Sequence, residues 1–125
     1  MKVIPTRRFK KDTDFYIRKR KYLKILEDIK TVTDELSKGN LVGDRLDDIE
    51  LEEGTAAYKV RIANSSTNSG KSNGFRIIYY VILNEKIYLL SVYSKKDDKK
   101  ILNNKQIAML IKNLIEDIND SWRNF

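Results

Sequence analysis

The chain contains no cysteine and no histidine. Without cysteine there is no disulfide framework, no thiolate nucleophile and no thiolate metal site. Without histidine the usual general base and the commonest transition-metal ligand are both missing. Any catalysis falls to Lys, Arg, Tyr, Asp, Glu or a hydroxyl, and no metal or other cofactor is expected. Proline occurs once and glycine five times, and no long low-complexity linker divides the sequence. No apolar run approaches the roughly 18 residues of a membrane span, and the N-terminus carries no signal-peptide stretch. A cytoplasmic protein with no membrane partner is the expectation.

What is present is charge. The 125 residues suffice for one domain, and 41% hydrophobic residues can build a core of normal size. Charged residues make up 34%, against about 25% in an ordinary domain. The net charge of +7 favours a polyanionic partner such as RNA, DNA, an anionic surface or an acidic protein. The charge is uneven: Lys2 to Lys24 and Lys95 to Lys100 are basic, while Asp44 to Glu53 is acidic.

Lys2-Val3-Ile4 before Pro5 reads as a short strand held to a sheet edge or end. From about Arg8 to Lys38 the period is helical. A stripe of Leu23, Leu26, Ile29, Val32 and Leu36 follows a shorter helix carrying Phe9 and Tyr16. Lys19 to Lys21 is the turn between the two, and Gly39 is the C-cap. Leu41 to Thr55 reads as a loop tacked down by Leu46, Ile49 and Leu51. Strands are expected at about 57–63, 75–83 and 87–94, with a tight turn at Asn84-Glu85. Ile107, Leu110, Ile111, Leu114, Ile115, Ile118 and Trp122 mark a last helix, capped by Asn103 or Asn104. The order β-α-α-β-β-β-α predicts an α+β domain over 1–125: a small antiparallel-rich sheet of about four strands, with the helices on one face.

The chemistry concentrates in two strand-like runs. Tyr58-Lys59-Val60-Arg61-Ile62 alternates, so Lys59 and Arg61 share a face. Gly74 to Leu83 is apolar except for Arg76. If the runs pair as a hairpin, Arg76 joins that face, and three cations on a rigid sheet form an anion site suited to phosphate. Gly70-Lys71-Ser72 ends like a P-loop, but Ser65 stands where the motif needs glycine and a strand follows instead of a helix. The acidic run Asp47 to Glu53 reads as a solvated loop face and not a metal site. Tyr79, Tyr80 and Tyr88 read as packing residues. Tyr93 stands apart, ending its strand just before Ser94-Lys95-Lys96, and would serve as acid or base if neighbouring cations lowered its pKa.

The stretches Tyr58 to Asn64, Gly70 to Tyr80, and Ile87 to Leu90 through Tyr93-Ser94-Lys95-Lys96 resemble toxins of the RelE/ParE superfamily, HigB-like members above all. The resemblance spans roughly residues 1 to 118. It implies a metal-independent mRNA interferase, a ribosome-dependent endoribonuclease that inhibits translation. It also implies a cognate antitoxin as partner, with operator DNA reached only through the antitoxin complex. Residue by residue it implies a catalytic set of Lys59, Arg61, Arg76, and Lys95 or Lys96, with Tyr93 as the candidate substitute for a tyrosine that some relatives carry further along the chain. Lys19, Arg20, Lys21, Lys71 and Lys99 are the expected RNA-backbone contacts. In such a site the RNA 2′-hydroxyl attacks the adjacent phosphate while the protein neutralises developing charge and moves two protons. Arg61 and Arg76 suit the charge, Lys59 the base, and Lys95 or Lys96 the leaving oxygen. The chain departs from some relatives in lacking their histidines and in having no tyrosine from Asp97 to Leu102. Two alternatives stay open: a ParE-like inhibitor of DNA gyrase, and a non-catalytic nucleic-acid-binding module.

Overall fold

A computed structural model describes residues 1–123, with side chains through Ser121. Trp122, an expected anchor in the core or in a partner, lies outside the described side chains. The element order is β1 (Lys2–Pro5), α1 (Arg7–Arg18), α2 (Ile25–Ser37), β2 (Asp44–Arg45), β3 (Thr55–Ile62), β4 (Phe75–Ile82), β5 (Lys86–Ser94) and α3 (Asn104–Arg123). Short 3-10 turns lie at Ser65–Thr67, Lys71–Asn73 and Asp98–Lys100. The five strands form one mixed sheet in the order β1-β5-β4-β3-β2, with β1 parallel to β5 and the other pairs antiparallel.

The α+β class stands, with two corrections. The sheet has a fifth strand, because the chain passes close enough at Gly43 for Asp44 and Arg45 to pair with Lys59 and Tyr58. Gly43 has φ of 98°, and a Cβ there would lie 2.6 Å from the Lys59 carbonyl oxygen, so only glycine permits the approach. The helices also lie on both faces of the sheet. β4 is apolar on both sides, and such a strand is covered on both. Phe75, Ile77, Tyr79 and Val81 meet the α1–α2 hairpin through Phe9, Tyr16, Ile25, Ile29, Val32 and Leu36. Ile78 and Tyr80 meet Ile107 and Ile111 of α3, with Ile49 of the acidic loop beside them.

The local signals explain the ends of the helices. The Thr6 hydroxyl accepts from the Phe9 N–H at 3.2 Å and caps α1. Asn103 and Gln106 exchange reciprocal side-chain-to-backbone bonds of 2.8 and 2.9 Å, a capping box that starts α3. Gly39, with φ of 88°, ends α2 with a bond from its N–H to the Leu36 carbonyl. The apolar stripe of α2 starts later than expected: Ile25 is fully buried, whereas Leu23 and Leu26 are 73% and 59% exposed. No helix among the described residues is long and apolar enough to cross a membrane.

Candidate anion site

The register puts Arg61 directly opposite Arg76, and Arg76 directly opposite Tyr93. Residues so paired have Cβ atoms about 4.5–5.5 Å apart. The row Arg61–Arg76–Tyr93 thus runs across three strands near one end of the sheet. The expected hairpin and its shared basic face are present. Lys59 sits one step further along β3, opposite Ile78 on one side and Asp44 of β2 on the other. Its cross-strand neighbours are therefore one carboxylate and one apolar side chain, not cations.

Exposure separates the members of the row. Arg61 is exposed, while Arg76 is only 6% exposed. The Arg76 guanidinium is occupied by backbone carbonyls. Nη1 donates to Lys71 O at 3.0 Å and to Phe75 O at 3.2 Å, and Nη2 donates to Ser72 O at 3.1 Å. Burial, and then the neighbouring charge of Arg61, lower the Arg76 pKa from its ordinary value. Tyr93 is buried with Tyr80, Tyr88 and Leu102, and Tyr79 is buried on the other face, so all four tyrosines of β4 and β5 pack. Burial pushes its hydroxyl pKa up, and the opposing pull of Arg76 does not reverse this. The expected lowering is absent.

Three loops converge on this end of the sheet. The loop between β3 and β4 carries Lys71, and that after β5 carries Lys95, Lys96 and Lys99, all four exposed. The turn between α1 and α2 carries exposed Lys19, Arg20 and Lys21. The loops are tied together. Lys95 N–H donates to Gly74 O at 3.0 Å, and Lys96 Nζ lies 3.5 Å from Ser69 Oγ. Lys24 N–H donates to Ser66 Oγ at 3.0 Å, and Arg20 reaches Asp97 at 3.5 Å. Lys100 sits over the Phe15 ring at 4.2 Å and holds the last loop against α1.

Several residues that build this arrangement left no mark in the sequence. Asp28, only 6% exposed, accepts from Ser65 N–H at 2.9 Å and from Ser65 Oγ at 2.5 Å. It fixes the start of the Lys71 loop against α2. Tyr16 accepts from Ser94 N–H at 2.8 Å and fixes the end of β5 before Lys95. A roomy apolar groove lined by Val3, Phe9, Ile17, Leu26, Ile29 and Leu89 lies on the hairpin side, away from the cation row. Among the described residues no group of side chains is placed to hold a metal ion. No protein-family model matches the chain, and no curated protein matches it.

Proposed function

We propose that this protein is a toxin of the RelE/ParE kind, an endoribonuclease that cuts mRNA on the ribosome and is neutralised by a cognate antitoxin. The observation that carries the reading is the convergence of Lys71, Lys95 and Lys96 on the sheet end where Arg61 faces Arg76. A phosphodiester backbone tracks such a cluster, and a rigid sheet holds charge where it develops in a phosphoryl-transfer transition state. The element order supports the reading as well.

In the proposed reaction the RNA 2′-oxygen attacks the adjacent phosphorus, a 2′,3′-cyclic phosphate forms, and the 5′-oxygen of the next nucleotide leaves. Arg61 and Lys71 neutralise the phosphoryl oxygens. Lys95 or Lys96 delivers a proton to the leaving oxygen, water takes the 2′-proton, and the Lys59 ammonium adds its positive charge beside Arg61. The antitoxin would meet this cationic end with an acidic segment. The test is a reconstituted translation reaction with a defined mRNA, comparing the parent with Arg61→Ala. Cleavage by the parent that falls at least tenfold in the variant supports the assignment, on the scale of one lost charge-stabilising group. Intact mRNA with ribosomes present would refute the nuclease.

A second reading has its own support. Arg76 is occupied by carbonyls, and Tyr93 is buried with a raised pKa, so two of the six expected catalytic groups are not free to act on a substrate. A protein that binds the RNA backbone without cutting it would need neither. Salt-sensitive RNA binding without cleavage would favour it.

A further inference from the structure

We infer that Arg76 is a positioning residue: it holds the Lys71–Asn73 turn in place, and thereby the Lys71 ammonium, and does not itself bind the anion. The inference rests on the polyanion-binding reading above and deepens it. Lys71, Ser72 and Asn73 are all exposed, so the turn buries no side chain of its own to anchor it. Its internal support is a 3.2 Å bond from Asn73 N–H to Gly70 O. The Lys95 N–H to Gly74 O bond closes its far end, and the fork of Arg76 holds its first two carbonyls. That fork takes the carbonyls of Lys71 and Ser72 at 3.0 and 3.1 Å, and spends a third donor on Phe75 O at 3.2 Å. A planar guanidinium can hold several carbonyls at fixed angles, and an ammonium cannot reproduce that fork. A phosphate approaching Arg76 would have to displace these carbonyls and leave them unpaired, which opposes the exchange. Arg61 and Lys71, in contrast, both line an open groove between β3 and α2, which Val32, Val60, Ser65 and the carboxylates of Asp28 and Glu35 also line; Asp28 is already bonded to Ser65. The exposed pair receives the anion, and the buried arginine sets where half of that pair stands.

The test uses the full chain. Amide exchange of residues 70–74 is measured without RNA in the parent and in Arg76→Lys, which keeps the charge but not the fork. Affinity for a single-stranded RNA oligonucleotide is then measured in the parent, Lys71→Ala, Arg76→Lys and the double variant. Exchange in the turn should quicken on the order of tenfold in Arg76→Lys, the scale of one lost hydrogen-bonded anchor. Arg76→Lys should weaken binding about as much as Lys71→Ala does, and the double variant should be no weaker than either. Unchanged exchange, or an RNA effect that adds to that of Lys71→Ala, would overturn the inference and make Arg76 a direct ligand. If the parent binds no RNA, the functional reading fails while the exchange result still decides whether Arg76 holds the turn. Should Arg76→Lys not fold, Arg76→Gln, which keeps one amide donor toward the turn, is read in the same way.

Discussion

The Tyr16 hydroxyl and the Ser94 backbone are joined by a 2.8 Å hydrogen bond in which the Ser94 N–H donates. Both residues are buried, and the bond ties α1 to the end of β5 immediately before Lys95. In Tyr16→Phe the ring packing stays and the acceptor goes, leaving a buried donor unpaired. The expected cost is about 1–3 kcal/mol in urea unfolding at neutral pH. A loss below about 0.5 kcal/mol would mean that water or a shifted backbone replaces the bond.

Alkali should unfold the protein through its tyrosines. Burial raises the hydroxyl pKa values of Tyr16, Tyr79 and Tyr93 above the ordinary 10.0. The unfolded chain therefore ionises first as pH rises, and above pH 10 it binds fewer protons than the folded chain. Their contribution is complete below about pH 10 and declines above it. The urea midpoint should hold up to about pH 10 and fall as pH rises above it, together with the appearance of tyrosinate absorbance. A midpoint that holds or rises above that pH contradicts the assignment.

Gly74 has no room for a methyl group. A Cβ there would sit 2.0 Å from the Ile62 carbonyl oxygen and 2.9 Å from the Asn64 N–H, both backbone atoms. Gly74→Ala must push β3 and β4 apart where Arg61 meets Arg76, at a cost of about 1–3 kcal/mol or more. Gly70→Ala, whose Cβ would meet nothing within 4 Å, is the control and should leave the melting temperature nearly unchanged. Equal effects would show that the close approach at Gly74 is not a constraint.

RNA affinity should follow the count of open cations. Arg61→Ala and Lys71→Ala should each reduce the slope of log affinity against log salt by about 0.7. Lys105→Ala, on the exposed face of α3, should leave it unchanged. Identical slopes in all three variants would mean that the protein attracts RNA only by its overall charge.

The part of this site that could be read in advance was carried by local pattern. Alternation at Lys59 and Arg61, an arginine inside an apolar run, and the polar loop at 64–74 between them were enough to foresee a hairpin with Arg61 and Arg76 on one face. The capping of α3 and the glycine end of α2 were legible for the same reason. The two faces of β4 were written in Phe75 to Val81, yet such a run does not say which helix covers which side. What stayed hidden was long-range backbone chemistry. The carbonyls of Lys71 and Ser72 carry no side-chain signature, so nothing in the sequence distinguishes an arginine that binds phosphate from one that binds a turn. Asp28 and Ser65 are 37 residues apart, and Tyr16 and Ser94 are 78 apart. Tyr93 ends its strand just before two lysines, and nothing local shows that it packs with Leu102 and with Ile107 near the start of α3.

The most direct test of the account is mapping of new mRNA 5′-ends in cells shortly after the protein is induced, with Arg61→Ala alongside. The account predicts growth arrest with new ends inside translated frames for the parent, and their loss in the variant. Growth arrest without new ends would point to gyrase or another target, and new ends that persist in Arg61→Ala would remove the cation row from the chemistry.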